Sequence, residues 1–137
     1  ALEKVKRSAT KKFRKYLDLE NPEKICFLTD TIIEEGESDV HHVIPWSYLY
    51  SDDLWNLVYT KKSANLKQSN KLPTKKMIKK LEKRNLELLN CMKTNLARHK
   101  KAVELEKSKA KLENQTAALE IAIESKYVEQ FWLGCKG

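Results

Sequence analysis

Two of the chain's three histidines, His41 and His42, are neighbours in the stretch HHVIPWS. Asn56 follows 14 residues after His42, and Asn65 another 9 residues on. Imidazole nitrogen and amide oxygen are both ligands for divalent cations, and a neutral imidazole can take a proton from water at physiological pH. Consecutive strand residues point to opposite faces, so the two rings cannot share one task. One can face a following helix and share a metal with Asn65, while the other stays free in an open groove as a base. A ligand pair this sparse leaves positions for water and phosphate oxygens, as magnesium-type sites do. Such a pairing suits phosphodiester hydrolysis, in which a metal stabilises charge on the phosphorane and the departing oxygen.

The elements that must position these residues are legible in outline. Leu2, Val5, Ala9, Phe13 and Tyr16 recur at helical spacing among lysines and arginines, which predicts a basic amphipathic helix over 1–20, stopping near Asn21-Pro22. The β-branched, aromatic run KICFLTDTII, the turn EEGES and the run DVHHVI together predict a β-hairpin ending at Pro45. WSYLYSDDLWNLVYT reads as an aromatic-rich connection with a short helical turn over 52–55 capped by Ser51. Thr60 is a candidate N-cap for a helix KKSANLKQSN. From Thr74 onward Met77, Leu81, Leu88, Met92 and Leu96, widened by Ile78, Leu86 and Leu89, mark a packing face. RHKKAVELEKSKAKLENQ is less periodic and reads as a bend or connection before a last helix that ends at Gly134. The fold class expected is α+β and mostly helical, with a ββα core over 24–73 and a helical extension over 74–137, all in one domain.

Charge is distributed unevenly. Residues 1–19 carry a net +5, 20–60 a net −8, 61–111 a net +13 and 112–137 a net −2. An acidic middle flanked by basic segments suits a metal-binding centre bordered by surfaces that grip a polyanion. No apolar run is long enough to span a bilayer, and no secretory signal opens the chain. Three widely spaced cysteines without a C-x-x-C pair indicate reduced thiols in a cytoplasm rather than a zinc knuckle or disulfide framework. The chain begins with alanine and is read as a possible fragment of a longer protein.

The stretch from His41 to Pro73 resembles the HNH nuclease motif of the ββα-metal endonucleases. It is most similar to a subgroup reading roughly D-H-[FVI]-[IV]-P-W-S, then W-N-L, then N-x-x-K-S-x-x-L-P; here the pieces are HHVIPWS, WNL and NLKQSNKLP. The resemblance implies that His42, three residues before Pro45, is the general base and that His41 is the metal ligand before it. It implies that Asn56 orients the histidine loop through backbone hydrogen bonds and that Asn65 is the second ligand. Val43 is expected to orient the His42 ring through its carbonyl. Lys61, Lys62, Lys67, Gln68, Lys71, Lys75 and Lys76 are expected to contact nucleic-acid backbone. Two departures stand out: His41 occupies a position that is often aspartate, and Gln68 one that is usually lysine. The first bears on metal identity and the second on substrate grip.

The resemblance therefore implies a DNA endonuclease, with double-stranded DNA favoured and a restriction or defence role. It implies one divalent ion, magnesium foremost, with manganese, nickel or zinc as alternatives for an imidazole ligand. The rival readings are a non-catalytic nucleic-acid-binding ββα module, or a subunit fused to or docked on a larger recognition or defence complex. His99 reads as surface. Trp46, Tyr48, Tyr50, Trp55 and Tyr59 read as core rather than base-stacking platforms, and Asp52 and Asp53 as the first turn of a helix.

Overall fold

A computed structural model describes residues 9–68, 70–99 and 106–137. The expectations for Leu2 and Val5 and for residues 100–105 of the expected connection lie outside the described residues, as does the side chain of His99; residues 106–115 of that stretch are helical rather than a bend. The elements are α1 (Arg14–Glu20), β1 (Ser38–His42), α2 (Trp46–Leu49), a 3-10 turn (Leu54–Asn56), β2 (Leu57–Lys61), α3 (Lys62–Gln68), α4 (Lys75–His99), α5 (Glu106–Glu124) and α6 (Tyr127–Cys135). The arrangement is α+β and mostly helical, around a two-stranded antiparallel sheet. The helix expected over 1–20 is interrupted by a turn at Lys12 and Phe13, and α1 ends at Glu20 as Asn21-Pro22 predicts, burying Tyr16 and Leu17.

The strand partner of β1 differs from expectation. β1 pairs with β2, in a register running from Ser38 opposite Lys61 to His42 opposite Leu57. Residues 24–33 instead double back on themselves. Cys26 N–H donates to the Thr31 carbonyl at 2.8 Å and Ile33 N–H to the Lys24 carbonyl at 2.9 Å, leaving one bridge between Ile25 and Ile32. Lys24 (φ 55°), which opens the segment, and Asp30 (φ 58°), inside its turn, adopt left-handed backbone. A segment folded this tightly has no extended run left to lie along β1. Its apolar residues act as core: Cys26, Phe27 and Ile33 are buried, and Phe27 N–H donates to the Tyr59 carbonyl at 2.9 Å. β2 was hidden in the aromatic connection because Leu57 to Thr60 are all buried, so the alternation that marks a half-exposed strand is missing.

Local signals in the connection are also reassigned. Thr60 lies within β2, and its buried hydroxyl has no hydrogen-bond partner among the described residues, so it caps nothing. The helical turn after Pro45 is α2, and residues 54–56 form the 3-10 turn. Ser51 donates its hydroxyl to Asp53 Oδ2 at 2.6 Å rather than capping a helix. Of the five aromatics read as core, Trp55 and Tyr59 are buried, Trp46 is half-buried, and Tyr48 and Tyr50 are exposed.

α4 starts where Thr74 predicts, the threonine hydroxyl accepting from Met77 N–H at 3.2 Å. Its apolar stripe buries Ile78, Leu81, Leu88 and Met92, whereas Leu86 is 58% exposed, its position turned off the packing face. On the buried side, Asn85 Nδ2 donates to the Trp55 carbonyl at 2.9 Å, and Arg84 Nη2 donates to the Leu54 carbonyl at 3.2 Å. The long helix thus braces the 3-10 turn that delivers Asn56. Burial pulls the Arg84 guanidinium down to about 10, against the opposing pull of Glu20. The last helical stretch is broken at Lys126 (φ 55°), so α5 and α6 are separate, and α6 runs past Gly134 to Cys135. Trp132 of α6 donates its indole N–H to the Pro73 carbonyl at 2.8 Å. All three cysteines are free.

Candidate active site

The site forms where β1 runs into the VIP turn and α3 lies across the strand. Period-two alternation puts Asp39 and His41 on one face of β1 and directs His42 to the other. His41 is 6% exposed, and its Nδ1 meets Asn65 Oδ1 of α3 at 2.5 Å. The same amide donates through Nδ2 to Asp39 Oδ2 at 3.2 Å. Asn65 therefore ties together an imidazole and a carboxylate that the strand already places side by side.

His42 meets a different partner. Its Nε2 stands 2.7 Å from Asp52 Oδ1, and the two side chains are 13% and 24% exposed. Asp52 follows α2, which closes on the left-handed Tyr50 (φ 53°). The partner the structure gives the His42 ring is thus a carboxylate, where a carbonyl of Val43 was expected. The helix-first-turn reading of Asp52 and Asp53 fails as well. The 3-10 turn begins after Asp53 without a side-chain cap, and Asp53 accepts from Ser51.

Asn56 is 1% exposed and clamps the turn between the histidines and Pro45. Its Nδ2 donates to the Ile44 carbonyl and its Oδ1 accepts from Ile44 N–H, both at 2.8 Å. Val43 N–H donates to the Asn56 carbonyl at 3.0 Å. Both backbone polar groups of buried Ile44 are thereby satisfied by one side chain, which fixes the exit of β1.

The residues fit a divalent cation. Among the described residues no group of three or more His, Cys, Asp and Glu gathers, so the set available is mixed: the His41 imidazole, the Asn65 amide oxygen and the Asp39 carboxylate. Burial, foremost, depresses His41 to about 4, with the Asn65 contact opposing; the ring is neutral near pH 7 and keeps a lone pair for a metal. Its Nε2 is buried without a partner among the described residues, which is costly for a ring with only a packing role. Asp39 escaped the sequence reading although it lies two residues before His41, the spacing that places it on the same strand face. Asp52 had no such signal, since its pairing depends on the turn of α2.

The depressed His41 pKa has a consequence for stability. The unfolded ring titrates near 6.5 and the folded one near 4, so the unfolded state binds more protons between these values and stability falls as pH falls through that window. The full difference is on the order of 3 kcal/mol. Urea unfolding of metal-free protein at pH 7 and pH 4.5 should show a loss approaching that size, and His41→Gln should flatten much of it. An equal pH dependence in the variant would place the effect elsewhere.

The residues expected to grip a polyanion follow the site along the chain, through the end of β2, α3 and the start of α4. Lys67, Lys71, Lys75 and Lys76 are exposed, while Lys61, Lys62 and Gln68 are half-buried. Among the described residues no helix is long and apolar enough to cross a membrane. Comparison with protein-family models matches residues 27–74 to the family described as HNH endonuclease. Comparison with curated protein sequences finds no match.

Proposed function

We propose that this chain, whose residues 27–74 belong to the HNH endonuclease family, is a metal-dependent endonuclease that hydrolyses phosphodiester bonds in DNA, double-stranded DNA being favoured. The observation that carries the reading is the division of labour on adjacent residues of β1. His41 converges with Asn65 and Asp39 on one face, and His42 is held by Asp52 on the other. His42 takes a proton from water, which attacks phosphorus and leaves a 5′-phosphate and a 3′-hydroxyl. Asn56 holds the Ile44 backbone so that His42 keeps its place at the end of the strand. His41, Asn65 and Asp39 would hold a divalent cation, which supplies stabilisation of charge on the phosphorane and the departing 3′ oxygen.

Magnesium is the first choice for that ion. The histidine at position 41 would by itself favour softer ions such as manganese, nickel or zinc, but Asp39 restores a hard carboxylate beside it. Lys61, Lys62, Lys67, Gln68, Lys71, Lys75 and Lys76 engage backbone phosphates with little sequence readout. By analogy alone the chain belongs to a restriction or phage-defence system in the cytoplasm, joined to or docked on a recognition domain.

Supercoiled plasmid incubated with the protein tests this. Nicking should require added magnesium or manganese, stop with chelator, and leave ends that ligate without kinase treatment. Asp39→Asn should raise the metal concentration for half-maximal cleavage by about tenfold, as loss of a partner at a metal site typically does. Plasmid left intact under every divalent metal would remove the enzyme reading for this chain.

A further inference from the structure

We infer that Asp52 is the positioning residue for the general base: its carboxylate takes the hydrogen on His42 Nε2 and so leaves Nδ1 as the nitrogen that accepts the proton from water. The inference rests on the nuclease reading for its consequence in catalysis, but its structural half stands apart from it. An ionised carboxylate only accepts hydrogen bonds, so the 2.7 Å contact between Asp52 Oδ1 and His42 Nε2 requires the hydrogen to reside on Nε2. In a neutral ring the lone pair is then on Nδ1. Left alone, an imidazole exchanges its hydrogen between the two nitrogens and turns about its side-chain bonds; a charge-assisted bond removes both freedoms.

The surroundings make the contact a built one. Both side chains are largely covered, at 13% and 24% exposure, so the bond is less screened than a surface pair. Asp52 is itself delivered by a constrained loop. α2 closes on Tyr50, whose left-handed backbone (φ 53°) reverses the chain, with Tyr50 N–H bonded to the Trp46 carbonyl at 2.7 Å. Next to it, Ser51 and Asp53 bond to each other, which leaves Asp52 as the residue of that trio that reaches the ring. The aspartate also accommodates charge: once the ring has accepted a proton on Nδ1, it is an imidazolium facing a carboxylate, and the intermediate state is stabilised where it forms.

This role separates Asp52 from the residues on the opposite strand face. Its loss should lower the rate of the chemical step and leave cation binding intact, whereas loss of Asn65 or Asp39 should weaken cation binding. A purely structural aspartate would change neither the ring's hydrogen nor the kcat-to-KM split.

The test uses the full chain with histidine ring nitrogens labelled with 15N, observed at pH 8 without metal, and His42 signals identified by their loss in His42→Gln. The wild type should show His42 with hydrogen-bearing Nε2 and bare Nδ1, the Nε2 hydrogen being shielded from solvent exchange. In Asp52→Ala that shielding should vanish while far-ultraviolet circular dichroism and manganese affinity measured by calorimetry stay as in wild type. In plasmid cleavage, kcat should fall about 10- to 100-fold with KM within about twofold, within the range general-base catalysis can account for. Asp52→Asn, which keeps the shape and removes the charge, should also fall in kcat, and it guards against misfolding of the alanine variant. Hydrogen on Nδ1 of wild-type His42, or an Asp52→Ala protein that cleaves like wild type while His42→Ala is inactive, overturns the proposal. Should wild type itself fail to cleave, the nuclease reading falls, and the nitrogen spectra still decide whether Asp52 sets the ring.

Discussion

His42→Ala should abolish plasmid nicking, with single-turnover cleavage falling by about 10³-fold within the 10²–10⁴ range for a positioned general base. The reason lies in what surrounds the ring. His41, the adjacent imidazole, is 6% exposed, faces the opposite side of β1 and is occupied with Asn65, so it cannot stand in. Asp52 remains after the substitution, but an aspartate is not an imidazole and does not replace it as the acceptor of the proton from water. The residues proposed to hold a cation share no hydrogen bond with His42 among the described residues, so manganese affinity should be unchanged by calorimetry. The combination of intact metal binding and lost cleavage separates loss of the base from loss of the fold. Retention of more than about a tenth of the wild-type rate would reassign the base.

The second large effect concerns stability. Asn56→Asp should destabilise the protein by roughly 2–4 kcal/mol, read as a lower urea midpoint with an unchanged slope. Asn56 satisfies the Ile44 carbonyl and N–H at 2.8 Å each from a position that is 1% exposed. Aspartate has nearly the same shape and can still accept from the N–H. It cannot donate to the carbonyl, and it sets an oxygen against an oxygen in a place where water cannot intervene. Stability rising at acid pH in the variant, where the carboxyl becomes protonated and can donate, would identify the lost hydrogen bond as the cause. Cleavage should fall with stability because Ile44 lies two residues from His42. An Asn56→Asp protein as stable as wild type would show that the clamp is dispensable.

The family resemblance is what suggests the roles proposed for His42, Asn56 and Asn65. HHVIPWS, WNL and NLKQSNKLP assign His42, Asn56 and Asn65 because the family resemblance rests on short fixed spacings, and such spacings survive without knowledge of the strand partner. Helical segments were similarly legible: the stripe on α4 follows the 3.6-residue period, and Thr74 announces its start. Strand pairing was not. The segment 24–33 has the composition of a strand but closes on itself through left-handed Lys24 and Asp30, and β2 has no alternation because both its faces are covered. Propensity records what packs well on a sheet, and leaves open which segment finds the sheet.

By itself, then, the sequence determined that two histidines and two asparagines lie within one short stretch resembling a ββα unit, and that basic residues follow it. Strand periodicity even placed His41 and His42 on opposite faces. Tertiary structure alone decided the partners across gaps: Asp52 on His42, Asp39 on Asn65, and Arg84 with Asn85 bracing the turn before Asn56. Each of these contacts joins residues whose separation along the chain carries no period, so only tertiary packing, with α3 against β1 and α4 against the 3-10 turn, could bring them together.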